Sequence, residues 1–506
     1  MHPFTYLINQ SNMFSLLILL LPLLIYLITK KLQSSSLKIQ NLPPGPYQWP
    51  ILGNIPNVIG KNPHIIVSNL AKIHGPLMSL KLGAQLLIMG SSSEAASEIL
   101  KTNDRHLSAR YTAKATPINE ADLKKFSVLW APECTNEWKT LRAIWRGELF
   151  GEKALDFQVS MREKKVGEMV EFLRRKEGEI VDIGDVVFTT IFNTLGNHCF
   201  SKDMIRFGDD KMVKDWKETI WKFMESGTTP TVPDFFPMFT GWGPQGQKNK
   251  TLKYLRRLFG KWEEFIKQRK EIGSPNPVKQ GDFLEFMLAN GFLDDQMLHM
   301  LLEIFPAACG NLTSTIEWAM AELIKNKESR NKLIQELQSE IKNLNSIKEH
   351  NISQLPYLNA CIKETLRLHP PIAFVPHLAG SSCKVMGYTI PKGSLVMMNL
   401  WALGHDPNTW KDPFMFKPER FLDSGLDFHG QDFGYLPFGA GRRMCPGLQY
   451  ANKQVYLILA SLIRFFDWTV PNVNGINNPG EVDMNEIYGV PVQKEKPLIL
   501  VPWKKC

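Results

Sequence analysis

The residues best suited to chemistry lie in the segment 437–447, whose sequence is PFGAGRRMCPG. Cys445 stands just before an apolar stretch, 447–466, that predicts a helix. The free N–H groups and the dipole at a helix N-terminus favour a thiolate over a thiol. A thiolate ligand on haem iron promotes cleavage of the O–O bond. We therefore predict that Cys445 ligates haem iron, the alternative being a buried structural cysteine beside a glycine-rich turn.

The neighbours of Cys445 fit the same prediction. Gly441 and Gly447 allow φ > 0 and let the backbone pass close beneath a flat ring. Arg443 offers a fixed fork of donors that suits a carboxylate such as a haem propionate. With Phe438 these residues form the pattern FxxGxRxCxG. We expect all four to contact the cofactor.

Three other short motifs precede this segment. Glu364 and Arg367 occur in the sequence ETLR, and positions i and i+3 of a helix share one face, so the two can pair. Arg420 occurs in the sequence FKPERF, and WKTLR runs from Trp138 to Arg142. Each motif is weak by itself, because many surface helices carry an ExxR pair.

In type, spacing and order, these motifs resemble those of the cytochrome P-450 family, and the resemblance spans the whole chain. It implies a cytochrome P-450 fold in one large domain that binds haem b and uses O2. It also implies an ion-pair network of Glu364, Arg367 and Arg420, and contacts from Trp138, Arg142 and His377 to the haem propionates.

The resemblance implies a redox partner as well. NADPH and flavins act only through NADPH–cytochrome P-450 reductase, which we expect to dock on the Cys445 side. Basic residues there would face an acidic partner surface, and the candidates are Lys139, Arg146 and Lys453.

The predicted helix 294–325 departs from the family pattern. Aligned on the sequence EWAM, the chain has Gly310 in place of the family's acid and Asn311 in place of its threonine. An acid–alcohol pair relays protons to bound oxygen, whereas asparagine donates a hydrogen bond but transfers no proton at neutral pH. Pro306 lacks an N–H and is expected to distort this turn. Gly310 and Asn311 are therefore the predicted catalytic positions.

This departure has three interpretations. Water takes over the relay and ordinary aromatic hydroxylation proceeds; or the enzyme abstracts hydrogen atoms without inserting oxygen; or the chain is a weakly active haem-binding protein. Phenol coupling needs two one-electron oxidations and inserts no oxygen atom. The loss of the acid–alcohol pair therefore favours coupling over hydroxylation.

Three stretches, 104–111, 161–173 and 195–202, resemble one plant group of the family. That group acts on benzylisoquinoline alkaloids and includes N-methylcoclaurine hydroxylase, berbamunine synthase and corytuberine synthase. The resemblance implies a small-molecule alkaloid substrate. A protonated amine would need a carboxylate, and the candidates are Glu120, Asp122, Glu303 and Glu486.

The elements that must position these residues are mostly helical. Hydrophobic periodicity predicts helices over 158–176, 212–225, 250–271, 294–325 and 328–343. Alternation over 77–90 predicts two strands with a turn at Gly83–Ala84, and 91–94 resembles a capping box. Short strands and coil follow residue 380. The expected fold class is mainly α with a small β part.

The N-terminus predicts a membrane anchor. Residues 13–28 carry no charge, and Lys30 and Lys31 follow them, which is the reverse of a cleaved signal peptide. We predict an anchor over 1–31, a polar and Pro-rich hinge over 32–50, and a haem domain over 51–506. The expected location is the endoplasmic reticulum membrane, with a single transmembrane helix and the haem domain in the cytoplasm.

Composition excludes other classes. The net charge is +9, but the basic residues are spread along the chain without an arginine-rich arm or zinc-finger spacing, so a nucleic-acid partner is not expected. The 7 cysteines are scattered and form no CxxC pair, which suits a reducing compartment.

Overall fold

The computed structural model of the protein describes residues 41–239, 244–272, 281–342, 346–352, 355–471 and 481–505. In chain order its α-helices are α1 (Ile55–Val58), α2 (Pro63–His74), α3 (Ser93–Ser97), α4 (Asp104–Leu107), α5 (Glu120–Phe126), α6 (Asn136–Ile144), α7 (Glu152–Phe157), α8 (Val159–Arg175), α9 (Ile183–Phe200), α10 (Asp210–Thr228), α11 (Val232–Phe235), α12 (Pro244–Ile272), α13 (Phe283–Ala289), α14 (Asp294–Lys325), α15 (Lys327–Glu340), α16 (Glu349–Ile352), α17 (Pro356–Leu368), α18 (Leu400–Gly404) and α19 (Leu448–Phe465).

Its strands are β1 (Leu77–Leu82), β2 (Gln85–Gly90), β3 (Val181–Asp182), β4 (Phe374–Leu378), β5 (Cys383–Val385), β6 (Tyr388–Ile390), β7 (Leu395–Asn399), β8 (Phe466–Thr469), β9 (Glu486–Ile487), β10 (Gln493–Lys494) and β11 (Ile499–Lys504). Tighter or wider helical turns occur at Glu98–Thr102, Trp145–Leu149, Pro237–Phe239, Pro418–Phe421 and Gly441–Arg443. The predicted class, mainly α with a small β part, is confirmed.

Helix α14 lies at the centre of the molecule. It packs against α9, α12, α17 and α19. Its first turn carries Asp294 and its last turn Lys325, which complements the helix dipole. The helix runs unbroken through Pro306, so the predicted distortion does not end it. Phe305, beside the proline, packs on Phe192 and Trp262, and this burial holds the turn in helical form although one N–H is missing.

Helix α9 was not among the predicted helices, because it is buried on nearly every side and so lacks an apolar stripe. Asp182 caps its N-terminus by accepting a bond from the N–H of Asp185 (3.1 Å). Thr190 and Thr194 satisfy their hydroxyls by donating to carbonyl oxygens four residues earlier (2.8 Å each). Its β-branched and polar residues are thus compatible with a buried helix.

The main sheet has the strand order β1-β2-β7-β4. Gly83 turns between β1 and β2 with φ of 61°, so the predicted hairpin is confirmed. Strand β4 pairs antiparallel with β7, and Leu378 also forms a bridge to Ala109. This pairing brings His377 beside the segment that follows α4.

The predicted helices over 158–176, 212–225, 250–271, 294–325, 328–343 and 447–466 correspond to α8, α10, α12, α14, α15 and α19. The predicted capping box was one residue early: Ser92, not Ser91, caps α3 by accepting a bond from the N–H of Ala95 (3.2 Å). Helix boundaries depend on such local bonds more than on the apolar pattern.

The predicted anchor, 1–31, and the first part of the hinge lie outside the described residues. Within the ranges given above, no helix has the length and apolarity needed to cross a bilayer. The later part of the hinge packs on β1, where Ser79 donates from its N–H to the carbonyl of Pro44 (2.8 Å) and from its hydroxyl to that of Pro43 (2.7 Å).

Candidate active site

Cys445 lies between the turn Gly441–Arg443 and helix α19, and its N–H donates to the carbonyl of Phe438 (2.9 Å). The residue is surrounded by protein atoms and is nevertheless accessible to solvent. This combination puts it on the wall of an internal open space. Arg142 donates to the carbonyl of Met444 and so holds the backbone next to the sulfur.

Burial raises the pKa of the Cys445 thiol, although the N–H of Gly447 and the charge of Arg142 act in the opposite direction. The N–H at the start of α19 thus acts in the predicted direction, while burial acts against it. A metal cation deprotonates a thiol that ligates it, so the remaining stabilisation would come from bound iron.

The two glycines around Cys445 differ in whether the backbone at their position requires glycine. Gly441 has φ of 69°, and a Cβ there would lie 2.4 Å from the carbonyl oxygen of Leu100, so only glycine fits. Gly447 has φ of −89°, and a Cβ would meet only ordinary contacts 4.0 Å away. The predicted left-handed backbone thus holds at 441 and not at 447.

A cluster of cations lies close to this loop. Arg142 and Arg443 stack on Trp138, with their guanidinium carbons 5.4 and 4.9 Å from its ring centre. Burial lowers the pKa of Arg142, Arg443 and Arg110, that of Arg110 to about 9. Within the described ranges these three arginines donate to backbone carbonyls and form no ion pair with a carboxylate. Buried cations without a counter-charge make this an anion site.

His377 belongs to the same cluster. Its Nδ1 lies 2.8 Å from the carbonyl oxygen of Leu107, while its buried Nε2 has no partner among the described residues. Burial lowers the pKa of His377 well below its usual value, which keeps the ring neutral. Because Nδ1–H donates to the carbonyl of Leu107, the Nε2 of the neutral ring is an acceptor and fits a donor as its partner, whereas a propionate carboxylate would require a protonated ring.

Two of the predicted propionate ligands use their donors on the protein itself. Trp138 donates its only N–H to the carbonyl of Val128 (2.8 Å). Arg443 donates to Ser108, Val128 and Ala131. Both residues lie in the cluster, but here they organise the segment 127–131. Phe438 packs on the core and on Phe428.

Sequence reasoning missed Arg110. It donates to the carbonyls of Pro376 and Leu129 and shares the buried cluster with Arg443. The residue lies in the stretch 104–111, whose sequence indicated only the resemblance to the plant group. No local signal identified its role, because the cluster is assembled from residues far apart in sequence.

The exposed Cys445 and three arginines that form no ion pair with a carboxylate within the described ranges together fit haem b. The sulfur would hold the iron, and the cations would hold the two propionates. The remaining polar face is on α14, where the Oδ1 atom of Asn311 is buried without a partner. A Cβ on Gly310 would lie 3.0 Å from Cδ of Pro491, so an acidic side chain there would crowd that proline.

The ion-pair network has the predicted members. Glu364 and Arg367 are both completely buried, with bonds of 2.7 and 2.8 Å, and Arg420 reaches the same carboxylate at 3.0 Å. Arg367 also donates to the carbonyls of Gly404, Pro413 and Met415. The network thereby ties α17 to the chain that leads to Cys445.

The four candidate acids for an amine already have protein partners. Glu120 pairs with Lys124 (2.8 Å), and Asp122 accepts a bond from Asn119 (2.6 Å). Glu486 lies 2.8 Å from His64. Glu303 is buried and accepts bonds from residues 127–129, described below. The structure therefore singles out no free carboxylate among these four for a substrate amine.

Comparisons with known proteins agree with this site. A family model of cytochrome P-450 matches residues 43–492. (S)-N-methylcoclaurine 3'-hydroxylase isozyme 1 from Eschscholzia californica is 41% identical over 466 residues, covering 92% of this chain and 94% of the relative. Corytuberine synthase from Coptis japonica is 42% identical and berbamunine synthase from Berberis stolonifera 38% identical, each over 469 residues and with the same shares covered.

We predict that Cys445→Ser abolishes thiolate ligation of the iron. The absorption band of the reduced, carbon monoxide-bound protein should lose the red shift typical of a thiolate-ligated haem. Cys383→Ser, at a half-buried cysteine of β5, is the matched control and should keep the band. A normal band in Cys445→Ser would rule out this sulfur as the ligand.

We predict that Arg367→Met destabilises the holoprotein strongly. Removing one partner of a buried ion pair costs about 3–5 kcal/mol, because the other charge stays buried alone. The apparent midpoint of thermal unfolding should fall steeply. Lys417→Met, which breaks the exposed pair with Asp412, should barely change it. Equal midpoints in the two variants would contradict the role of the network.

Proposed function

The chain belongs to the cytochrome P-450 family, and from that premise we propose that it couples two phenols of a benzylisoquinoline alkaloid oxidatively, without inserting oxygen. As a member of this family it is a haem-thiolate oxidoreductase that uses O2 and electrons from a partner reductase. The observation that carries the proposal is the pair Gly310 and Asn311 on α14, which offers no acid and no alcohol.

The balance of the proposed reaction differs from that of hydroxylation. Coupling removes two hydrogens from the substrate, forms one C–C or C–O bond and, with O2, NADPH and one proton, yields two waters and NADP+. Hydroxylation breaks a C–H bond, puts one oxygen atom into the product and yields one water. Haem iron with a thiolate ligand supplies the oxidising chemistry in either case.

The chain's own residues have distinct parts in this proposal. Cys445 would hold the iron, while the guanidinium groups of Arg110, Arg142 and Arg443 would attract the propionates. Asn311, whose Oδ1 has no partner among the described residues, would orient bound groups through that oxygen and its amide N–H, but transfers no proton. The protons that O–O cleavage needs in either reaction would then come from water.

Aromatic hydroxylation is the second candidate, and a specific observation favours it. The relative from Eschscholzia californica, named as a hydroxylase, is 41% identical over almost the whole chain. A weakly active haem-binding protein is the third. The three differ in the fate of oxygen and in whether substrate stimulates NADPH consumption.

We further propose that the reductase docks near α6. Lys139 and Arg146 are exposed and lie three residues before and four residues after Arg142, which contacts the Cys445 loop, so the three share one side of the chain. Lys453 is less suitable, because it is already paired with Glu349 (3.3 Å).

We also propose that the protein is attached to the endoplasmic reticulum membrane by residues 1–31, with its haem domain in the cytoplasm. An exposed apolar patch supports this attachment, and it consists of Tyr47, Trp49, Ile51, Leu52, Ile59, Val232, Met238 and Phe239. The turn Gly83–Ala84 joins its two parts, since Gly83 bonds to Leu52 and Ala84 to Phe235. The patch begins just after residue 41, on the side of the predicted anchor.

We predict the outcome of turnover with reductase-containing microsomes, N-methylcoclaurine and a panel of diphenolic benzylisoquinolines under ¹⁸O2. The product should carry no label. Its mass should show the loss of two hydrogens for intramolecular coupling, or the mass of a dimer for intermolecular coupling. A labelled product heavier by one oxygen would overturn coupling in favour of hydroxylation. Substrate-independent NADPH consumption would indicate the weakly active protein.

Asn311→Thr extends this test. Restoring the alcohol should raise the share of oxygenated product, and adding Gly310→Asp should raise it further only if Pro491 moves aside. Thr315→Ser, one turn away, keeps its bond to the carbonyl of Asn311 and is the matched control. An unchanged product ratio in Asn311→Thr would mean that this position does not set the outcome.

We predict that the apolar patch binds membranes without the anchor. A chain starting at residue 41 should bind phosphatidylcholine vesicles, and Trp49→Ser with Met238→Ser should weaken binding, since each buried large side chain contributes about 1.5–3 kcal/mol. Phe414→Ser removes an equally exposed ring from another region and should have no effect. Equal vesicle binding in a sedimentation assay would contradict the proposal.

A further inference from the structure

Glu303 holds a loop in place and has no part in the proposed reaction. It lies on α14, two turns before Gly310, and is only 6% exposed. Its carboxylate accepts bonds from the hydroxyl of Ser127 and from the N–H groups of Val128 (2.8 Å) and Leu129 (3.1 Å). The Ser127 hydroxyl in turn accepts a bond from the N–H of Trp130 (2.7 Å). One carboxylate thus fixes two successive N–H groups directly and the N–H of Trp130 through the Ser127 hydroxyl.

The carbonyl side of the same loop faces the cation cluster. Arg443 donates to the carbonyls of Val128 (3.2 Å) and Ala131 (2.6 Å). Trp138 donates to Val128 as well, and Arg110 donates to Leu129 (3.4 Å). The segment 127–131, which we call the strap, therefore lies between one carboxylate and two arginines.

The strap lies between charges of opposite sign, which is a favourable arrangement for peptide dipoles. The peptide between Val128 and Leu129 donates its N–H to the carboxylate and accepts a bond from Arg443 on its carbonyl, so its dipole is aligned with both charges. Burial lowers the pKa of Arg443, and attraction to Cys134 and to Glu303 acts in the opposite direction. The burial that raises the pKa of Glu303 to about 7 acts on a carboxylate that the strap N–H groups stabilise.

We propose that Glu303 is a positioning residue for the haem: through the strap it fixes Arg443, Arg110 and Trp138 in the arrangement that receives the propionates. The proposal rests on the propionate contacts proposed above. It gives Glu303 a role different from that of a counter-ion for a substrate amine, because both carboxylate oxygens already accept bonds from the strap.

The experiment compares two buried glutamates of α14 in the full-length holoprotein. Glu303→Gln removes the charge and can keep both backbone N–H bonds on its amide oxygen, but its NH2 group then faces the Ser127 hydroxyl, which loses its acceptor. Glu317→Gln is the matched control, since Glu317 is 9% exposed and accepts a bond from the N–H of Leu498 (2.8 Å), away from the strap. Haem transfer to excess apomyoglobin gives the dissociation rate without any measurement of turnover.

Glu303→Gln should speed haem dissociation by about tenfold or more, as expected for a buried donor left unsatisfied beside the site. It should also shift the propionate bending bands in the resonance Raman spectrum. Glu317→Gln should change neither. Ser127→Ala removes one of the three bonds to the carboxylate, should give a smaller shift in the same direction, and keeps the test available if Glu303→Gln folds poorly.

Several results would overturn the proposal. Unchanged dissociation and unchanged bands in both Glu303→Gln and Ser127→Ala would do so, as would equal changes in Glu317→Gln, which would indicate general destabilisation. Weaker amine binding with normal haem retention would establish the counter-ion role instead. An Arg443→Leu variant with normal haem retention would instead refute the proposed propionate site. Analysis of the reaction products tests neither the role of Glu303 nor the propionate site.

Discussion

The buried ion pair between Glu364 and Arg367 is the interaction on which the rest of the site depends. Both side chains are excluded from water, so neither charge is tolerable without the other and without the carbonyls and Arg420 that complete the set. Those carbonyls belong to Gly404, Pro413 and Met415. Their bonds to Arg367 of α17 therefore fix the segment that precedes the cysteine loop. The ring of Trp410 lies against both guanidinium groups and packs edge-to-face with Tyr435, whose hydroxyl donates to the carbonyl of Lys363 in α17 (2.9 Å). The position of Cys445 therefore follows from electrostatic satisfaction of a core rather than from the loop alone.

The proposed propionate site has a second electrostatic constraint, which differs from the first because no carboxylate of the protein pairs with its cations. Here the buried Arg443 and the half-buried Arg110 and Arg142 form no ion pair with a carboxylate within the described part of the chain, and carbonyls of the strap, of Pro376 and of Met444 accept their hydrogen bonds without neutralising them. A satisfied network such as that of Glu364 is closed to ligands, whereas an unneutralised one attracts an anion. The two clusters use the same residue types, and the difference lies in whether a carboxylate of the protein completes them.

On the distal side, packing and chemistry are linked at Gly310. The turn that carries Pro491 approaches α14 so closely that a side chain at 310 would displace it, so the lack of an acid there coincides with a lack of space. Asn311, next along the helix, keeps an unpartnered oxygen. Together these features give a helix face that can orient small groups but has no acid or alcohol at 310 or 311 to deliver protons, and the proposed phenol coupling rests on this departure.

The sequence by itself predicted the iron ligand and determined the ion-pair network and most of the long helices, because these depend on fixed spacing and on the 3.6-residue period of an apolar face. It gave no separate prediction of α9, which has no polar face to give a period. Only the tertiary structure decided which residues form the cation cluster. Arg110, Arg443, His377 and the strap are brought together by strand pairing and by the contact of α14 with residues 127–129, and such long-range contacts leave no local pattern in the chain.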